Sequence, residues 1–156
     1  MLLTSLKRTL FLFTLVLLTN VQAEQASVIS PMQALAVMKG NWIGEVKGIG
    51  PDRKPYVVTQ TERVGDMLGG DVLVVEGRGY RANNELAFNA FGVISFDSTA
   101  NAYEMRAYAD GKTGTFKMQI DGKNIVWEKP INANAFTRYT ITIEGDSWHE
   151  VGEFMM

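Results

Sequence analysis

From residue 41 onward the chain alternates between apolar and polar positions. Trp42, Gly44 and Val46 share one side of an extended backbone, and Ile43, Glu45 and Lys47 share the other. That period of two is the mark of a strand with one face covered. The same patterning, with apolar, β-branched and aromatic residues bounded by turn formers, recurs at 56–63, 71–80, 87–96, 102–109, 113–120, 124–129, 136–143 and 148–154. Gly48 to Asp52, Asn83-Asn84, Asp110-Gly111 and Asp121-Gly122 read as turns, and Gly65, Gly69 and Gly70 as breaks. One segment ahead of the strands has a different period. Ser30 is a helix N-cap, Pro31 suits the first helical position, and Met32, Leu35, Ala36 and Lys39 follow at three- and four-residue spacing. The pattern therefore predicts a short helix over 31–39, ended by Gly40, which tolerates positive φ. Nine short strands and one short helix predict an all-β protein. Consecutive hairpins favour an antiparallel up-and-down barrel of nine to ten strands over a Greek-key sandwich, with the helix and Trp42 plugging one end.

The N-terminus has another character. Lys7 and Arg8 precede an apolar run from Leu10 to Leu18, interrupted by Thr14, and Val21-Gln22-Ala23 offers small residues for cleavage. Residues 1–23 are expected to be a signal peptide, since the run is shorter than the ~20 residues that span a bilayer. The expected location is periplasmic or secreted, with residues 24–156 forming one domain. No cysteine follows Ala23, so no lipid anchor is expected there. Those 133 residues carry all 17 acids against 13 bases, for a formal charge of −4, because Lys7 and Arg8 belong to the leader. With no long run of one sign, neither nucleic acid nor an anionic membrane surface is an expected partner. The absence of cysteine leaves the fold to its core and removes thiol chemistry.

Signs of catalysis are lacking. Gly77-Arg78-Gly79-Tyr80-Arg81-Ala82 fits the glycine pattern of a dinucleotide-binding turn, but Asn83-Asn84 and a strand follow where a helix is required. The glycines read better as bends in a barrel strand. There is no Gly-x-Ser-x-Gly elbow, and His149 is the only histidine, so the usual triads are not expected. No metal site is expected. Arginines inside strands are more informative. Arg78, Arg106 and Arg138 lie near Tyr80, Tyr103, Tyr108 and Tyr139, and an inward arginine beside tyrosines could hold a carboxylate or phosphate in an apolar lumen. Alternation groups Tyr103, Met105 and Ala107 on one face and Arg106 with Tyr108 on the other. Trp42, Trp127 and Trp148 head an aromatic set that fills a core or lines a cavity.

Gly40-Asn41-Trp42-Ile43-Gly44-Glu45 after a short helix resembles the opening of a lipocalin-like family of bacterial proteins of unknown function, often secreted. It is more distantly similar to nitrobindin and the fatty-acid-binding proteins. Phe91 to Asp97, then Tyr103, then Tyr108 to Gly111 resemble that family's middle hairpin, and Trp148 to Phe154 its late strand. The likeness runs over about residues 31–154 and implies a calycin-type barrel. The expected function is non-enzymatic binding of a small apolar or amphipathic ligand in the lumen. The candidate lining is Trp42, Arg78, Tyr80, Tyr103, Arg106, Tyr108, Trp127 and Arg138. No cofactor is expected on that reading. Two alternatives stay open: a haem held by His149, as the likeness to nitrobindin implies, and an interaction module whose core is filled. The family's usual ten strands against nine here also lead to an expectation of self-association through the C-terminal edge strand.

Overall fold

The computed structural model describes residues 30–50 and 52–156. The expected signal peptide, 1–23, and residues 24–29 lie outside the described residues. Nine strands follow one short helix: β1 Gly40–Ile49, β2 Pro55–Met67, β3 Val72–Tyr80, β4 Leu86–Asp97, β5 Ala102–Ala109, β6 Lys112–Asp121, β7 Asn124–Asn132, β8 Ala135–Glu144 and β9 Ser147–Met155. Each pairs antiparallel with its sequence neighbours, in the order β1 to β9. The result is a nearly closed up-and-down barrel. Asp110 and Gly111 both take positive φ, 52° and 70°, the conformation of a two-residue hairpin turn that matches the twist of its strands.

The helix Pro31–Met38 is a 3-10 helix, not an α-helix. Gln33 N–H donates to the Ser30 carbonyl and Lys39 N–H to that of Ala36, both three residues back. The buried residues are Met32, Leu35 and Met38, which are spaced by three, the 3-10 period. The stripe is thus completed by Met38, whereas Lys39 turns outward to Asp66, 3.1 Å away. Eight residues is long for this helix type. It persists because all three apolar side chains enter the barrel end and join Val64, Leu73, Ile94, Met118, Ile125 and Ile141 in one core. The Tyr103 hydroxyl donates to the Pro31 carbonyl at 2.6 Å and ties the start of the helix to β5.

Two strands run further than the pattern suggests. Gly65 does not break β2, which runs on to Met67. The chain turns at Leu68, Gly69 and Gly70, all at positive φ. β7 continues through Pro130 to Asn132, with a register shift between those two residues.

An odd number of antiparallel strands has a geometric consequence. β1 and β9 run in the same direction, so full closure would need a parallel ladder, while every other pairing is antiparallel. Among the described residues the two edges are not paired. Side chains bridge them at the plugged end, where the Trp42 and Trp148 rings meet edge to face, 5.5 Å between centroids.

Candidate functional site

Burial fixes which face is inward. Trp42, Val64, Leu73, Ile94, Tyr103, Met118, Ile125, Trp127, Ile141 and Trp148 share the core, so the residues two positions away on each strand share that face. The half of the lumen next to the helix is packed. Beyond it the inward positions change character: Gln60 and Glu62 on β2, Gly77 and Gly79 on β3, Phe116 on β6, Trp127 on β7, Tyr139 on β8, Glu150 and Gly152 on β9.

Rings and glycines are matched across strands there. Tyr56 lies over Gly48, with ring atoms 2.7 Å from where a Cβ would stand. Tyr139 covers Gly152 in the same way, at 2.9 Å, and both pairs are direct cross-strand partners. An aromatic ring over a strand glycine shields backbone that lacks its own side chain. Trp127 and Tyr139 stack at 4.1 Å with their planes 10° apart, and Phe116 adjoins Trp127 at 5.6 Å, so a row of rings crosses β6, β7 and β8 and ends at Gly152.

Two carboxylates stand against these rings. Glu62 pairs in register with Gly77, and its oxygens lie 2.8 and 2.9 Å from where a Gly77 Cβ would be, so the glycine makes room for the carboxylate. The Gln60 amide donates to Glu62 Oε1 at 2.6 Å. The Trp127 indole N–H donates to Glu150 Oε1 at 3.2 Å. Burial holds both glutamates above the usual carboxylate range. The Gln60 amide opposes the shift at Glu62. At Glu150 the Trp127 indole opposes it, the charge of Glu62 adds to it, and the Trp148 indole opposes it again. Burial also raises the Tyr139 phenol, with Glu150 and then Tyr56 contributing. Water reaches Glu150, whose side chain is exposed, yet protein surrounds it closely enough to disfavour its charge. That combination describes a wetted lumen wall.

Of the eight residues expected to line the lumen, Trp42, Tyr103 and Trp127 belong to the inward set. The others alternate with it and face out. Arg78 follows Glu76 on the outer face of β3 and donates to its Oε1 through Nε at 3.1 Å. It shares with Tyr80, Ile43 and Arg63 a shallow outer groove of about 360 Å³. Arg106 donates to the Thr113 and Thr115 hydroxyls at 3.1 Å, lies 6.0 Å from the Tyr108 ring, and both residues are exposed. Arg138 donates to Glu128 at 2.8 Å and lies 5.6 Å from the Phe136 ring. The expectation of an arginine inside the lumen is therefore corrected: parity puts all three outside, each with an oxygen partner. His149 alternates with Trp148 and Glu150 and stands exposed on the outer face of β9, so its imidazole does not enter the lumen.

The luminal glutamates were not among the residues singled out from the sequence. The available signal was parity: Glu62 is two residues from Val64, and Glu150 two from Trp148. That signal becomes usable only when the inward face is known. Among the described residues no group of three histidine or acidic side chains is arranged to hold a metal ion. No described helix is long and apolar enough to cross a membrane.

The chain matches no family model, no curated protein and no solved structure in comparisons with known proteins.

Proposed function

We propose that this protein is a non-enzymatic binder or carrier of a small amphipathic molecule, held in the half of the lumen beyond the plug. The observation that carries this reading is the change in lining along the barrel. Next to the helix the interior is filled by Leu35, Leu73 and Ile94, each 1% exposed. Beyond it the wall carries rings, glycines, Gln60, Glu62 and Glu150 beside aliphatic residues such as Val58. A barrel that only needed a core would continue its apolar packing, because an inward carboxylate without an ionic partner is costly to bury. Rings with a few convergent polar groups are the usual lining of a small-molecule site. The resemblance of Gly40-x-Trp42-x-Gly44-Glu45 to the opening of an exported lipocalin-like family supports the same reading, and with it an exported protein. A haem on His149 finds no support in that side chain's position on the outer face.

The test is a titration of the full chain with a neutral amphipathic fluorophore, such as N-phenyl-1-naphthylamine, alongside native mass spectrometry of freshly purified protein. Saturable fluorescence enhancement with quenching of the indoles is expected, and Trp127→Ala should weaken it about tenfold. A chain that carries nothing and gives no saturable signal overturns the reading in favour of a structural or interaction module.

A further inference from the structure

The lumen wall is specific in its charge. Two carboxylates, Glu62 and Glu150, flank the seam on the inward face: Glu62 is the cross-strand partner of Trp42, whose ring meets that of Trp148, two residues before Glu150. Among the described residues their hydrogen-bond donors are neutral: the Gln60 amide for Glu62 and the Trp127 indole for Glu150. Rings stand beside them among apolar side chains: the pair Trp127 and Tyr139, stacked on one another, and the indoles of Trp42 and Trp148. Inward parity also includes two lysines, Lys112 and Lys129. Both are exposed near the far mouth, on β6 and β7, and among the described residues neither pairs with a glutamate. The arginines that could neutralise the pair face outward, as Arg78 does on Glu76 and Arg138 on Glu128.

We infer that the molecule held in the lumen is an organic cation, an amphipathic amine or quaternary ammonium whose charged head sits between Glu62, Glu150 and the rings of Trp127 and Tyr139 while its apolar part extends along the wall. The inference rests on the lumen-binding reading above and adds the ligand's charge to it. Its physical basis is that three features of the wall favour the same head. Carboxylates with only neutral donors lack a counter-charge, which a bound cation supplies. Aromatic faces attract a cation through their quadrupole, most strongly where water is excluded. The same wall repels an anion and gives a neutral head only hydrogen bonds, so it discriminates by repulsion as well as attraction. Gly77 belongs to the device, because a side chain there would displace the Glu62 carboxylate.

The experiment compares three ligands with one tail, octyltrimethylammonium, octanol and octanoate, on the full chain by calorimetry and indole quenching. The cation is expected to bind about tenfold or more tightly than either of the others. Glu62→Gln and Glu150→Gln should each reduce that preference, lowering the affinity of the cation more than that of octanol. Both variants keep the shape of the side chain and remove a charge that its surroundings disfavour, so they are expected to fold. Gly77→Ala should lower cation affinity through Glu62, with no further loss when combined with Glu62→Gln. Equal binding of all three heads overturns the cation inference and leaves the lumen reading standing. Tighter binding of octanoate overturns the inference in the same way. Failure of all three to bind overturns both.

Discussion

Trp42 shows how one residue serves two structures. Its ring packs on the core and against Trp148, and its indole N–H donates to the Met38 carbonyl at 2.9 Å, closing off the end of the plug helix. Trp42→Ala is expected to destabilise the fold by about 3 kcal/mol in a denaturant titration. A loss under about 1 kcal/mol would mean that the ring is dispensable to the plug. The glutamates make a prediction of opposite sign. Burial raises Glu62 and Glu150 above the ordinary 4.5, so the fold holds their protons more tightly than the unfolded chain does. Their contribution is then most favourable below the unfolded value, and it is lost as pH rises through the raised folded values. Asp66 and Glu144 shift downward beside Lys39 and Lys123, but all four side chains are solvent-exposed and contribute little. Glu150→Gln is therefore expected to stabilise the ligand-free protein at neutral pH and much less near pH 4. Urea midpoints at the two pH values check this, and an equal gain at both would remove the burial argument.

At the scale of elements, the plug helix depends on what lies beneath it. Few 3-10 helices reach eight residues unaided, because their hydrogen-bond geometry is poor. Leu35, only 1% exposed, is its deepest anchor. Leu35→Ala is expected to cost about 3 kcal/mol and to release the helix from the barrel end. Amide exchange should show this, with Lys39 N–H, bonded to Ala36, losing protection before the strand amides do. The hairpin turns depend on local chemistry instead. Gly111 takes φ 70° with open space around it, so Gly111→Val is expected to destabilise by roughly 1–2 kcal/mol through backbone strain alone.

For the molecule as a whole the decisive number is nine. It makes the two edge strands parallel, and among the described residues they are unpaired, with Trp42 and Trp148 closing one end of the seam. Seam-facing amides within 41–47 and 149–155 are expected to exchange faster than those of β3 to β6, which have partners on both sides. Exposed apolar side chains lie beside the seam, Ile43 at 76% and Phe154 at 60%. If copies do associate, protection in these segments should rise with protein concentration, and sedimentation should show a second species. Protection at every concentration would instead mean that the seam closes within one chain.

The strands, their order and most of their turns were readable along the chain, because alternation and turn residues are local properties. Asp110-Gly111 dictated its hairpin without help from the rest of the molecule. The type of the plug helix was nearly readable too: Met32, Leu35 and Met38 carry a period of three, but only a barrel end that accepts all three makes that period prevail over the α-helical one. The candidate site was not readable. Alternation states that Arg78 and Gly77, or Trp148 and His149, face opposite ways, but both assignments fit the sequence equally well. The choice is made by contact between residues far apart in sequence. Leu73, Ile94, Ile125 and Ile141 meet on one side of the sheet, and every second residue inherits its place from them. That collapse put three arginines in water and two glutamates in the lumen.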